Sequence, residues 1–300
     1  MNLNIKDLPK GVQAIVDLPD ARLNALWDSI LVRAALRERL LAQGVLNFTL
    51  RKRVGRDILP LHGVMLLHGP PGTGKTSLAK GLASKIASVF PNTKFRMVEV
   101  DPHALTSSAM GKTQQAVARL FEQTISEIAS SGPTIVILDE VETLAVNRVR
   151  LSLDANPVDI HRATDAVLVQ LDSLAATNSD ILFIATSNFP AAIDSAFVSR
   201  CDLAVEVPLP NAEGCRAILR HCLLHLADAL PDVDLLLEMP DFDECAEEFV
   251  GLDGRAIRKA VAAALATDKK TALNPASVSL DQLRAAACTA KAAQENGRIA

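Results

Sequence analysis

VMLLHGPPGTGKTSLAKGLASKI, Val64 to Ile86, decides the fold. It opens on a short apolar run of strand length, passes through a loop with glycines at 69, 72 and 74, and continues in a helical pattern. The bare spacing G-x-x-x-x-G-K-[ST] arises by chance in a chain of this length about one time in a hundred, and the strand-loop-helix setting lowers that further. The spacing has a physical reason. A polyphosphate must be wrapped by backbone amides, and glycines let the main chain approach it without a side chain in the way. Gly69, Pro70, Pro71, Gly72, Thr73, Gly74, Lys75, Thr76 and Ser77 therefore form the candidate nucleotide-binding segment. Lys75 would pair with the outer phosphates of ATP, and the Thr76 hydroxyl would hold Mg2+. The alternative is a glycine-rich turn without a ligand.

Outward from this loop, the apolar runs Phe95–Val100, Thr134–Asp139, Ile181–Thr186 and Leu203–Val207 alternate with helical patterns near 75–88, 113–130, 159–173 and 190–197. Strand alternating with helix predicts an α/β fold, a doubly wound parallel sheet of five strands with helices on both faces. TIVILDE puts Asp139 and Glu140 at the carboxyl edge of a strand, where ligands bind in open sheets. Asp139 can order Mg2+ through water, and Glu140 can orient and deprotonate an attacking water. Glu142 is a rival for the base, and a solvated strand end is the alternative for the pair. ILFIATSNFP places Asn188 at the same edge, where an amide can hold the attacking water; turn chemistry ahead of Pro190 also explains an asparagine.

The chain has 300 residues, enough for two domains, and the prolines of VPLPN (Val207 to Asn211) mark a boundary. We expect a helical lead-in over residues 1–60, a large nucleotide-binding domain over 61–209 and a small helical lid over 210–300. Leu23, Leu26, Trp27, Ile30, Leu31, Ala34 and Leu36 give the lead-in its helical spacing, and Ser279 with Gln282 reads as a capping box in the lid. Aromatic residues make up 3% of the chain and tyrosine is missing, so the cores must be built mainly from Leu, Ile, Val and Ala. A net charge of -4 offers no electrostatic footprint for nucleic acid, although Arg51, Lys52, Arg53 and Arg56 form a small basic stretch. The five cysteines, odd in number and without CxxC spacing, read as reduced thiols. MNLNIKDLPKGVQ carries charges where a signal peptide needs an apolar core, and no apolar run approaches the ~20 residues of a membrane span, so we expect a cytoplasmic protein.

The loop at 69–76, the acidic strand at 135–140, Asn188, SAFVSRCD at 195–202 and GLDGRAIRK at 251–259 come in an order that resembles the AAA+ ATPases, over about residues 64–290. The resemblance implies a homohexamer with ATP and Mg2+ at sites between subunits. It also implies that Arg200 reaches the neighbour's ATP as an arginine finger and that Arg255 is the nucleotide-sensing arginine of the small domain. A surface ion pair for Arg200 and helix-start solvation for Arg255 are the plainer alternatives. More narrowly, LLHGPPGTGKTSL, LDEVETL, DIHRATDAVLVQLD (Asp159 to Asp172), ATSN, DSAFVSRCD, GLDGR and the upstream LWDSI (Leu26 to Ile30) resemble the pachytene checkpoint, or thyroid-receptor-interactor, ATPases. Those are remodellers of HORMA-domain proteins. Their short bacterial forms accompany HORMA proteins and cyclic-nucleotide synthases in anti-phage, CBASS-like signalling. The resemblance thus implies an ATP-dependent remodeller that disassembles or converts HORMA complexes as a negative regulator, with a HORMA client and, through it, a synthase as partners, and with no membrane.

Three departures stand out. About 60 residues precede the first apolar strand, where eukaryotic members carry a recognition domain of about a hundred. Ala109, Met110 and Gly111 lie in SSAMGK, the stretch equivalent to the substrate pore loop, and Ala109 stands where an aromatic grip is expected. Phe197 stands where many relatives have a second arginine. The competing function is an AAA+ motor or loader acting on nucleic acid.

Overall fold

In the computed structural model, which describes residues 8–105, 112–146 and 157–297, the first element is a strand. β1 (Val12–Leu18) leads to α1 (Ala21–Ser29) and α2 (Ala34–Leu50), and β2 (Val64–His68) then runs into α3 (Lys75–Ser88). Next come β3 (Phe95–Val100), the short α4 (Pro102–Leu105), α5 (Lys112–Arg119), a π-helical turn at Leu120–Ile125 and α6 (Ser126–Ala129). β4 (Thr134–Leu138), a 3-10 turn at Val141–Thr143, α7 (Pro157–Thr177), β5 (Ile181–Ser187), α8 (Ser195–Val198) and β6 (Leu203–Glu206) follow. The sheet order is β1-β3-β4-β5-β2-β6, parallel throughout except for β1, which runs antiparallel to β3.

The sheet therefore has six strands rather than the expected five, and the lead-in is not wholly helical. The overlooked strand, VQAIVDL, is rich in β-branched residues and lies between Gly11, at φ +87°, and Pro19. Those residues favour a pleated conformation, and pairing with β3 satisfies the backbone groups of both strands. Of the residues with helical spacing, Leu23, Leu26 and Trp27 lie in α1 and Ala34 and Leu36 in α2, while Ile30 and Leu31 fall in the link between the two helices.

Alternate residues of each central strand enter opposite cores. Val64, Leu66, Val98, Val136, Leu138 and Phe183 pack on one face with Val117, Phe121 and Leu171. Met65, Leu67, Met97, Ile135, Ile137 and Ile184 pack on the other with Leu78, Leu82 and Ile86 of α3 and with Trp27, Leu40 and Phe48 of the first two helices. Burial on both faces is why these strands read as continuous apolar runs. A Cβ at Gly81 would lie 2.7 Å from the Trp27 amide nitrogen, so the glycine lets α1 lie directly on α3. At the end of α2, Arg51 donates to the Ile181 carbonyl at 2.7 Å and Lys52 pairs with Asp180 at 2.5 Å. Arg56 Nη1 also donates to the Asp172 carbonyl at 3.5 Å, so at least three of the four residues of the basic stretch have partners within the fold.

The described chain divides into two compact units, one holding the residues up to Gly69 together with Lys75–Val207, the other Pro70–Gly74 together with the residues from Pro208. The second unit is helical: α9 (Ala212–Ala227), a 3-10 segment at Val233–Glu238, α10 (Phe242–Glu247), α11 (Gly254–Leu265), α12 (Lys269–Leu273) and α13 (Leu280–Gly297). Its core includes Leu219, Leu223, Phe242, Phe249, Ile257 and Leu283. At the start of α13 the Ser279 amide donates to Gln282 Oε1 at 2.9 Å, and the Gln282 amide donates to Ser279 Oγ at 3.3 Å, the reciprocal bonds of a capping box.

Candidate active site

Parallel pairing sets His68 of β2 opposite Ser187 of β5, and Leu138 of β4 opposite Ala185 of the same strand. The segments that leave these strands, beginning at Gly69, Asp139 and Asn188, consequently emerge at one edge of the sheet. Gly69, Gly72 and Gly74 have φ of +141°, +78° and +87°, a curl that side-chain-bearing residues resist. Lys75 is 5% exposed, and its ammonium donates to the Gly69 carbonyl at 3.0 Å, across the loop. Thr73 Oγ1 donates to the Pro70 carbonyl at 3.0 Å and braces the turn. Pro71 is exposed, and Ser77 lies half-buried on the first turn of α3 beside Thr76.

The acidic pair sits one step beyond β4. Asp139 Oδ1 accepts hydrogen bonds from the hydroxyls of Thr76, at 2.8 Å, and of Thr186. Glu140 is in the left-handed region, φ 49° and ψ 52°, a conformation that costs a non-glycine residue on the order of 1 kcal/mol or more. Its amide donates to Thr186 Oγ1 at 3.3 Å, so one threonine braces both acids. The Glu140 carboxylate meets Asn188 Nδ2 at 3.3 Å through one oxygen and His103 Nε2 at 3.2 Å through the other. Glu142 is turned elsewhere and accepts the Asn188 backbone amide at 3.0 Å. Lys75, Thr76, Asp139, Glu140 and Asn188, named from sequence, thus converge on one edge. Thr186 and His103 were not named from sequence, although both lie at or just past the carboxyl end of a parallel strand, and that position was their legible signal.

A hydroxyl and a carboxylate side by side are hard oxygen donors of the kind Mg2+ takes. Among the described residues no group of three or more His, Cys, Asp or Glu is placed to hold a metal.

Arg200 is engaged away from this cluster. Its Nε donates to Asp172 Oδ1 at 2.9 Å, its Nη2 to Asp172 Oδ2 at 2.7 Å and its Nη1 to the Ala196 carbonyl at 2.8 Å. The hydrogen bond from Arg200 holds the Asp172 carboxyl below its ordinary pKa, and the same bond raises that of Arg200. Phe197, where a second arginine might stand, is fully buried in the core and anchors α8. Arg255 lies in the second unit, exposed at the start of α11, and its amide donates to Asp253 Oδ1 at 2.8 Å and to the Gly72 carbonyl at 3.3 Å. Ala109, Met110 and Gly111 lie outside the described residues. No helix among the described residues is long and apolar enough to cross a membrane.

Residues 65–209 match the family model of the ATPase family associated with various cellular activities (AAA). The chain is 60% identical over 284 residues to CD-NTase-associated protein 6 of Pseudomonas aeruginosa, covering 95% of this chain and 93% of that one. It is 36% identical over 215 residues to the Pachytene checkpoint protein 2 homolog of Arabidopsis thaliana, covering 70% of this chain but 45% of the plant protein's length. Among solved structures, C. elegans PCH-2 superposes with a TM-score of 0.77 at 25% identity, over 97% of this chain and 77% of that one. The E. coli MS115-1 HORMA:CdnC:Trip13 complex contains a chain that superposes with a TM-score of 0.69 at 17% identity, over 93% and 95% of the two chains. A glycine loop, an acidic strand end and a polar strand end on one sheet edge, in a chain this similar from end to end, have one reading: the chain belongs to the AAA ATPase family, with the pachytene checkpoint protein 2 homologues and CD-NTase-associated protein 6 as its relatives.

Proposed function

We propose that this protein hydrolyses ATP to ADP and phosphate, as a cytoplasmic ring of six identical subunits, and uses the cycle to disassemble or convert HORMA-domain complexes. The observation that carries the hydrolytic reading is the hydroxyl-carboxylate pair Thr76 and Asp139, 2.8 Å apart, with Glu140 held beside it by Asn188 and His103. The amides of Gly69 to Thr76 wrap the phosphates, and Lys75 turns from the Gly69 carbonyl to the outer phosphates when they are present. Thr76 and, through water, Asp139 would hold Mg2+, which would supply charge neutralisation for the outer phosphates. Glu140 takes the proton of the attacking water, Asn188 orients that water, and Ser77 and Arg255 complete the nucleotide contacts. Arg200 serves the site of the adjoining subunit.

The identity to CD-NTase-associated protein 6, close to full length in both chains, supports the signalling context. The fold likeness to a chain of the HORMA:CdnC:Trip13 complex supports a HORMA client with a cyclase behind it. The competing role, a motor on nucleic acid, loses support because Arg51 and Lys52 have protein partners.

Glu140→Gln should retain ATP binding while turnover falls by about 10²-fold or more, the scale of a lost general base. Immobilised in ATP, it should retain a HORMA-domain protein. Turnover near that of the unmodified protein would move the base elsewhere, and retention of nucleic acid in place of a HORMA protein would favour the motor.

A further inference from the structure

We infer that Asp172 is a positioning residue that sets the plane of the Arg200 guanidinium, so that two of its N–H groups are left to meet the phosphates bound by the adjoining subunit. The inference rests on the trans role proposed above for Arg200.

A guanidinium carries five N–H donors in one rigid plane. Three are committed within the chain: Nε and one N–H of Nη2 to the two oxygens of Asp172, and one N–H of Nη1 to the Ala196 carbonyl. The two that remain, one on each terminal nitrogen, suit phosphate oxygens. Without Asp172 the side chain would rest on one backbone carbonyl, and its long stem would sample many rotamers.

The carboxylate itself is well fixed. Asp172 lies in α7 between Leu171, fully buried, and Leu174, 5% exposed. Arg200 follows α8, which Phe197 anchors in the same core. The neighbours leave the pair intact. His62 Nε2 lies 3.5 Å from Asp172 Oδ1, and burial, followed by the charge of Arg56, holds its pKa below the ordinary value, which weakens its competition with Arg200 for the carboxylate. The Asp172 carboxylate is 42% exposed and the Arg200 side chain 24%, and ion pairs this wet contribute little to folding. A two-point grip that does little for stability is better explained by where it aims the arginine.

The test compares Asp172→Asn, Asp172→Glu, Arg200→Ala and the double variant Asp172→Asn/Arg200→Ala in the full chain. It measures ATPase against ATP concentration, binding of a fluorescent ATP analogue, thermal unfolding and subunit mixing. Asp172→Asn should lower kcat by about 10-fold or more, part of the roughly 10³-fold or larger loss when an arginine finger is removed. Nucleotide binding and the unfolding midpoint should stay close to the parent values, and Asp172→Glu should recover part of the rate. The double variant should be no slower than Arg200→Ala alone, because residues acting as a unit do not add. Mixing Asp172→Asn with Glu140→Gln subunits should restore turnover, and mixing it with Arg200→Ala should not, because both defects then lie on the finger side of every interface. Parent-like or faster turnover in Asp172→Asn, with Arg200→Ala inactive, would overturn the inference and leave the trans role of Arg200 standing. Parent-like turnover in Arg200→Ala would instead remove the reading on which the inference rests.

Discussion

Thr186 is the residue on which the two acids depend, since its hydroxyl donates to Asp139 and accepts the Glu140 amide. Thr186→Val keeps the shape of the side chain but leaves a left-handed Glu140 without its amide partner, and an unmet buried donor costs roughly 1–3 kcal/mol. We expect kcat to fall by about 10-fold, with ATP binding within a few-fold of the parent, as steady-state kinetics and direct binding would measure; a rise in KM alone would mean that Thr186 acts on nucleotide affinity. Cysteine reactivity offers a check independent of catalysis. Burial pushes the Cys201 thiol up to about 12 and the Cys245 thiol up to about 11, whereas Cys288 is exposed. Because the thiolate is the nucleophile, alkylation of the folded protein near pH 8 should label Cys288 well before Cys201 and Cys245, as mass spectrometry would record. Lys75, Thr76, Asp139, Glu140 and Asn188 were legible from sequence because their spacing follows the strand ends. Thr186 and Asp172 were not, because each draws its role from a partner 28 or more residues away.

At the scale of elements, α1 and α3 test how close packing competes with helix propensity. Gly81→Ala would gain up to ~1 kcal/mol as a better helix former, but its Cβ would meet the Trp27 backbone at 2.7–2.8 Å, and overpacking of this kind costs typically ~1–3 kcal/mol. We expect net destabilisation, seen as a lower midpoint in thermal or urea unfolding; a higher midpoint would mean that α1 can shift away at little cost. In the second unit, Ser279→Ala removes one half of the capping box and should cost about 1 kcal/mol. That box was readable because it is local. β1 was not read because its helical neighbours dominated the pattern and its pairing partner, β3, lies some 80 residues away.

For the whole molecule, the ring is the claim with the plainest test. Arg200→Ala and Glu140→Gln subunits, each inactive alone, should regain part of the parent ATPase when mixed, because some interfaces then combine an intact Glu140 with an intact Arg200. Failure at every mixing ratio, with co-assembly demonstrated, would assign Arg200 a role within its own subunit. Met110→Asp should abolish client disassembly while ATPase stays within a few-fold of the parent, since a pore loop grips by apolar contact worth at most the roughly 1.5–3 kcal/mol of a buried side chain. Unchanged disassembly would mean that Met110 does not grip the client.

Sequence by itself determined the alternation of strands and helices, the glycine loop between β2 and α3 and the acids at the end of β4, because buried strands, helical periods and glycine loops are written in contiguous residues. Only the tertiary structure decided that a sixth strand joins the sheet antiparallel, that Thr186 and His103 hold Asp139 and Glu140, and that Arg200 rests on Asp172. Each of these is a pairing between segments remote in the chain, brought together by the packing of strands and helices on a common core, and that packing is not a property of any one stretch of sequence.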